Sequence, residues 1–331
     1  MRITEILLRI SVRSDNDTFI ISKEETLKMG PYMSKSSNHI IEDLQALPVI
    51  KGYYLVVGGG KIGTNFVEHA RKHNFPLVLV LDKDRTAPAS SYTEIIKDVD
   101  ALHKIMEGRS ASLLKKESSE IYFYCAKLDE VPFILSFGVP EYIIPAIPCH
   151  MIAYLMKKYL NFLKKYDQTV TEICISSEDK DMMGFFEQFT SNFPENIRAG
   201  LYPAQGMVML SYARPGEICP DECTGLERFC INFRREKPKT IIDHMRDLFP
   251  LINGWVFESY QMKPGIGAMK GADVKQNLLE MFEYVHSQGA YGNKAGGVVT
   301  PKNIFFIATA CNCHGVVNLF KICVPGMTKT F

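Results

Sequence analysis

Charge of one sign is what this sequence has least of. Its 331 residues carry 38 Lys and Arg against 37 Asp and Glu, a formal net charge of +1. That balance gives no electrostatic footprint for nucleic acid or for an anionic membrane surface. The one compact basic run, Arg234-Arg235-Glu236-Lys237-Pro238-Lys239, is interrupted by an acid and reads as a solvated loop. Uninterrupted apolar runs are missing too. The most hydrophobic region, Val131 to Leu155, is broken by Glu141, His150 and four prolines, so no membrane insertion is expected. The opening "MRITEILLRISVRSDND" lacks the apolar core and small-residue cleavage site of a signal peptide, and a cytoplasmic location is expected. In that compartment an odd total of nine cysteines does not suggest a disulfide framework. It leaves metal ligands, a reactive thiol or small buried residues. No internal repeat and no HExxH, Walker A or GxSxG pattern occurs, and Tyr92-x4-Lys97 misses the Tyr-x3-Lys spacing of short-chain dehydrogenases. The single tryptophan, Trp255, sits in a strand context and reads as core.

What is present is an alternation of strand-like and helix-like segments, which predicts an α/β fold. The length suits two domains with an appendage. We read 1–48 as an N-terminal extension, 49–165 as a Rossmann-like NAD(P)-binding domain, and 166–331 as a second, cysteine-containing α/β domain. In the first, Val99 to Met106 predicts a short helix. "IYFYCAK" and "VPFILSF" predict two strands, arranged as a hairpin, and "YIIPAI" a strand near an edge. Cys149 to Lys165 has apolar residues at helical spacing. In the second, "VTEICIS", "AQGMVMLSYA", "INGWVFESYQM" and "NIFFIATA" predict strands, while Lys180–Phe189, Thr240–Phe249 and Ala272–His286 predict helices.

The stretch "YYLVVGGGKIGTNFVEHARKHNFPLVLVLDKD" carries the clearest chemistry. It runs strand, glycine turn, helix, strand, acid within the length of one βαβ unit. Gly58-x-Gly60-x-x-Gly63 has the dinucleotide spacing: the first glycine for the tight turn, the second for the pyrophosphate, the third for close helix packing. The helix start offers backbone N–H groups and a positive dipole end to phosphate. Asn74 and Pro76 supply the helix stop, and the second strand ends at Asp82, placed to accept both ribose hydroxyls. The nucleotide-binding set is therefore Gly58, Gly59, Gly60, Lys61, Ile62, Gly63, Asp82 and Lys83. Asp82 favours NAD by repelling a 2′-phosphate, while Lys83 and Arg85 leave NADP open.

"VVGGGKIG" followed by "VLVLDKD" resembles the nucleotide-binding domain of the TrkA/RCK type, which regulates potassium transport. It is also similar to the N-terminal NAD-binding domain of precorrin-2 dehydrogenases. The resemblance spans roughly 51–85. It implies that Gly58, Gly60 and Gly63 hold the phosphates and that Asp82 takes the adenosine ribose.

A second constellation lies further on. "EICPDECTGLERFCINF" places Cys219, Cys223 and Cys230 in one loop, and "TACNCHGV" places Cys311, Cys313 and His314 at the end of an apolar strand. Thiolates on loops at strand ends can converge on one ion or cluster. The spacing C-x3-C-x6-C matches neither a CxxC zinc knuckle nor a ferredoxin run. With His314 the one imidazole at hand, an iron–sulfur cluster is placed ahead of zinc, and Cys311 or Cys313 completes the set. Cys125, Cys174 and Cys323 sit in apolar strands and read as structural. Cys149 and His150 are adjacent on a helix and diverge by roughly 100°, which argues against a nucleophile–base pair. "KPGIGAMKGADVKQNLLEMF" reads as a glycine-rich loop entering a helix capped at Asp273, and "QGAYGNKAGGVVTP" as a connecting loop.

Two functions fit these features. One is an NAD(P)-dependent redox enzyme acting on a small molecule, with electrons passing through a cysteine-bound centre. The other is a nucleotide-sensing regulatory module without catalysis, as the TrkA/RCK resemblance implies. No catalytic residue is assigned, and a homo-oligomer is expected because closed symmetric dimers are the commonest assembly.

Overall fold

The structure, a computed structural model, describes residues 44–107, 118–157, 172–174, 180–214, 216–220, 223–291 and 304–323. The N-terminal extension expected over 1–48 and the loop expected over 288–301 lie mostly outside these residues. Two compact units divide the chain; among the described residues the first ends at Ile147 and the second begins at Pro148. The helical turns over 151–157 therefore go with the second unit rather than the first.

The first unit contains β1 (Val49–Val57), α1 (Lys61–Lys72), β2 (Leu77–Asp82), β3 (Glu94–Ile96), α2 (Val99–Met106), β4 (Glu120–Cys125), α3 (Val131–Leu135) and β5 (Val139–Pro145). Its strands are parallel, in the order β5-β1-β2-β4-β3. Parallel strands covered on both faces need continuous apolar runs, and Leu77 to Leu81 are all buried. In α1 the residues Gly63, Phe66, Val67 and Ala70 form the buried stripe. Beyond it Asn74 adopts φ 53°, the left-handed conformation that ends helices, while His69, Arg71 and Lys72 complement the dipole in the last turn. The Asp98 side chain caps α2 by accepting from Ala101 N at 2.8 Å. Strands β2 and β5 flank β1 on opposite sides. An open α/β sheet holds its ligands outside the carboxyl ends of its strands, at the point where the strand order reverses.

One expected hairpin is absent. "VPFIL" is α3, with Pro132 in the first turn, where its missing N–H costs nothing. Strand β4 pairs instead with β2 and β3.

The second unit contains β6 (Glu172–Cys174), α4 (Lys180–Thr190), β7 (Arg198–Tyr202), β8 (Met207–Ser211), β9 (Phe229–Cys230), β10 (Arg235–Glu236), α5 (Ile241–Arg246), β11 (Asn253–Glu258), β12 (Tyr260–Lys263), β13 (Ile266–Lys270), α6 (Gly271–Tyr291), β14 (Ile304–Ala310) and β15 (His314–Cys323). Its main sheet runs β11-β14-β15-β8-β7, with β6 also on β15. Only β11 and β14 pair in parallel; the other pairs are antiparallel. The core gathers Phe186, Phe189 and Phe193 with Ile241, Met245 and Phe306. Each such side chain contributes about 1.5–3 kcal/mol on burial. Two features here went beyond the sequence reading. The glycine-rich turn of "KPGIGAMK" is left-handed at Gly265, φ 79°, but it joins β12 and β13 as a hairpin, and α6 starts at Gly271, so that Asp273 lies in its first turn rather than at its cap. The long strand β15 had no counterpart in the sequence reading.

His150 belongs to this sheet's support. It is half-buried, Nδ1–H donates to Asn318 Oδ1 at 2.7 Å, and Nε2 accepts from the Thr309 hydroxyl at 2.9 Å. Cys149 is exposed, so the two adjacent residues make no dyad. Burial holds the imidazole neutral, lowering its pKa to about 4. A histidine depressed on folding stabilises fully above its unfolded pKa of ~6.5 and loses that contribution as pH falls through about 4. We expect up to ~3 kcal/mol of stability to disappear over that window in urea titrations. The window should narrow in His150→Gln, the residual slope coming from His244 and His314, which burial also lowers.

Candidate functional site

The glycine loop follows β1 directly. Gly58 has φ +112°, and a Cβ there would sit 2.3 Å from the Ala146 carbonyl oxygen. At Gly63 a Cβ would meet the Gly58 carbonyl oxygen at 2.0 Å, which sets how closely α1 approaches the turn. Gly60 differs: a Cβ there would meet nothing within 4 Å. The first and third glycines are thus required by the fold, whereas the second faces open space at the start of a 12-residue helix.

Asp82 ties this loop to the end of β2. Its Oδ2 accepts from Gly59 N at 2.6 Å and its Oδ1 from Asp84 N at 2.9 Å. Gly58 N donates to Leu81 O at 2.7 Å, and Ala89 N to Gly59 O at 2.9 Å. The Thr64 hydroxyl donates to Gly60 O at 2.9 Å, a loop contact the spacing argument did not include. Lys61, Ile62 and Lys83 border the loop with exposed side chains. All eight expected residues therefore lie at one strand end. Cys125 is nearby on β4, where its thiol donates to Lys83 O at 3.5 Å.

The second unit has its own cavity, of about 410 Å³, lined by Cys219, Cys223, Cys311, Cys313 and His314 together with Tyr260 and Gln261. Local hydrogen bonds build it. Gln261 Nε2 donates to Cys223 O at 2.5 Å, and Asn312 Nδ2 to Gly225 O at 3.1 Å, which clamps the cysteine loop against β12 and the β14–β15 turn. Cys219 and Cys223 share a thiol hydrogen bond, with Cys313 and Cys230 in electrostatic reach of Cys219. Gly225 N donates to Cys223 Sγ at 3.4 Å. Cys230 is buried in β9 behind the lining. Cys311 Sγ stands 4.0 Å from His314 Nδ1.

One charged residue in this region was misread from sequence. Lys237, placed in a solvated basic run, is only 1% exposed. Its ammonium donates to the Leu226 carbonyl and, at 3.0 Å, to Cys313 Sγ, and it stands 5.9 Å from the centre of the Tyr212 ring. Its neighbour Arg235 also turns inward, to Tyr212 O at 2.9 Å and Glu217 Oε1 at 2.5 Å. Nothing in the local composition separates this lysine from its solvated neighbours.

Burial, then contact with Cys223, pushes the Cys219 thiol up to about 12. Burial raises Cys313 as well, against the opposing pull of Lys237. Crowded thiols left without a cation stay protonated, and a bound cation reverses that balance. Among the described residues, no group of three or more His, Cys, Asp or Glu side chains forms a ready-made chelate for a metal ion.

The fold and its two sites define an α/β protein with a glycine-loop unit and a thiol-lined unit. Residues 155–323 match the AF_1314_C family, "Uncharacterized protein, C-terminal domain", and the chain belongs to that family. The match takes in every cysteine of the cavity. An "Uncharacterized protein" of Archaeoglobus fulgidus is 25% identical over 267 residues, covering 81% of this chain and 98% of that relative.

The glycines make a contrast that denaturation can read. Gly63→Ala forces a carbon onto a carbonyl oxygen and should destabilise the first unit by about 2 kcal/mol or more. Gly60→Ala enters open space and should stay within ~0.5 kcal/mol of wild type in urea denaturation.

Proposed function

We propose that the first unit binds NAD(H) and that the chain is an NAD(P)-dependent oxidoreductase acting on a small molecule. The open space at Gly60 carries this reading. It lies where a pyrophosphate would meet the backbone N–H groups and positive end of a helix. The strand order supports it, since β1 is flanked by β2 on one side and β5 on the other, as at a topological switch point. Asp82 would accept the adenosine ribose hydroxyls on lone pairs left beside its two backbone donors. That carboxylate favours NAD, with Lys83 and Arg85 at hand if a 2′-phosphate enters. A thiol-rich pocket in the same chain supports redox chemistry over simple storage of the nucleotide. We place the protein in the cytoplasm as a homo-oligomer; among the described residues no helix is long and apolar enough to cross a membrane.

Calorimetric titration tests the site. Wild type should bind NADH more tightly than NADPH. Gly60→Val should lose NADH binding with little change in melting temperature, because its Cβ enters open space. Asp82→Ala should weaken NADH by roughly 1–3 kcal/mol. Equal binding by all three proteins would place the nucleotide elsewhere. NADH oxidation with an artificial electron acceptor separates the enzyme from a TrkA/RCK-like sensing module, which binds NADH without turning it over.

A further inference from the structure

We propose that the cysteine cavity of the second unit is an iron–sulfur site whose thiolate ligands are Cys219, Cys223, Cys230 and Cys313, with Lys237 as the buried counter-charge. Three segments that are distant in sequence deliver these sulfurs. The loop before β9 brings Cys219 and Cys223, β9 itself brings Cys230, and the β14–β15 turn brings Cys313. Gln261 and Asn312 clamp the first of these segments to the cavity wall.

Three observations point to an anionic thiolate centre rather than to four ordinary thiols. First, Lys237 is a closed-in ammonium touching a sulfur, and among the described residues no carboxylate pairs with it. A neutral thiol and a carbonyl leave that charge uncompensated, whereas a thiolate-ligated cluster carries the missing negative charge. Second, Gly225 N–H is already directed at Cys223 Sγ, and N–H groups of this kind stabilise and tune metal-bound thiolates. Third, Cys219, Cys223 and Cys313 line a cavity of about 410 Å³, with Cys230 buried behind it, which is far more room than one metal ion fills. A single zinc ion draws four thiolates into direct contact around one point. A cluster interposes iron and sulfide, and so occupies a larger space between its thiolates.

The geometry also chooses between Cys311 and Cys313. Cys313 is the one held by Lys237, whereas Cys311 stands beside His314. Cys311 and His314 remain on the cavity wall as groups facing whatever approaches the centre. All residues of this site lie in the second unit, so the inference does not rest on the nucleotide reading.

The full chain, purified anaerobically or reconstituted with ferrous iron and sulfide, should contain iron and acid-labile sulfide in equal amounts. It should show broad visible absorbance that dithionite bleaches. Cys223→Ser and Cys313→Ser should lose most of the iron, while Cys125→Ser, in the first unit, keeps it. Lys237→Met should move the midpoint potential to more negative values, because reduction then adds an electron without a neighbouring cation. Gly60→Val should leave the iron content unchanged, which keeps failure of this site distinct from failure of the nucleotide site. Reconstituted wild-type protein that takes up neither iron nor sulfide would overturn the proposal, and needs no variant to fold. Colourless protein holding zinc would overturn it equally. Iron that survives Cys313→Ser but not Cys311→Ser would overturn the ligand assignment.

Discussion

The Lys237 ammonium is the constraint around which the second unit's cavity is built. Removing a charge of that size from water costs several kcal/mol even after the surroundings relax. The groups that answer it therefore cannot drift apart without exposing the cost. Those groups come from separate places: the Leu226 carbonyl on the cysteine loop, the Cys313 sulfur on the β14–β15 turn, and the Tyr212 ring just after β8. One cation thus fixes a loop and a hairpin turn against the central sheet. Surface loops rich in Pro, Gly and Cys have little apolar area with which to do this for themselves.

The first unit relies on the opposite device, the absence of side-chain atoms. At Gly58 and Gly63 backbone lies against backbone, and the Asp82 carboxylate locks the intervening peptide by accepting from Gly59 N. The helix start is thereby presented at the strand end with its N–H groups outward. Rigidity at two glycines and free space at the third belong together. A loop that flexed would spend binding energy on ordering itself.

The parts legible in the sequence were those whose requirements are local. The glycine spacing, the stripe of α1, the all-apolar β2 and the left-handed stop at Asn74 each depend on neighbours a few residues away. The cysteines of the cavity were legible as a set, since three fall in one short loop and two in one turn. Other features answered to tertiary context. "VPFIL" has the composition of a strand, yet it follows a turn at Leu128–Glu130 and continues as helix. The hairpin of β12 and β13 was hidden by its glycines, which suggested only a turn leading into the helix; Gly265 is the turn residue, and Gly267 pairs opposite Gln261 as part of a strand. Strand β15 was obscured because Asn318 and Lys321 interrupt its apolar run. Asn318 is a buried hydrogen-bonding partner of His150, an identity that only the folded chain explains. Lys237 was obscured for the same reason in reverse, a buried charge disguised by exposed neighbours.

Strand β15 also fixes an order of events in biosynthesis. It pairs with β14 on one side and with both β8 and β6 on the other, although β8 precedes it by about a hundred residues. Until the ribosome has released 304–323, β8 lacks a partner on one edge and Phe306, Val317 and Leu319 are missing from the core. Contacts of such long sequence separation form late, because the loop they close must first be ordered. The cysteine loop is synthesised well before Cys313, so its thiols emerge with the cavity still open along one wall. A nascent chain in that state presents unpaired strand edges and accessible sulfur together.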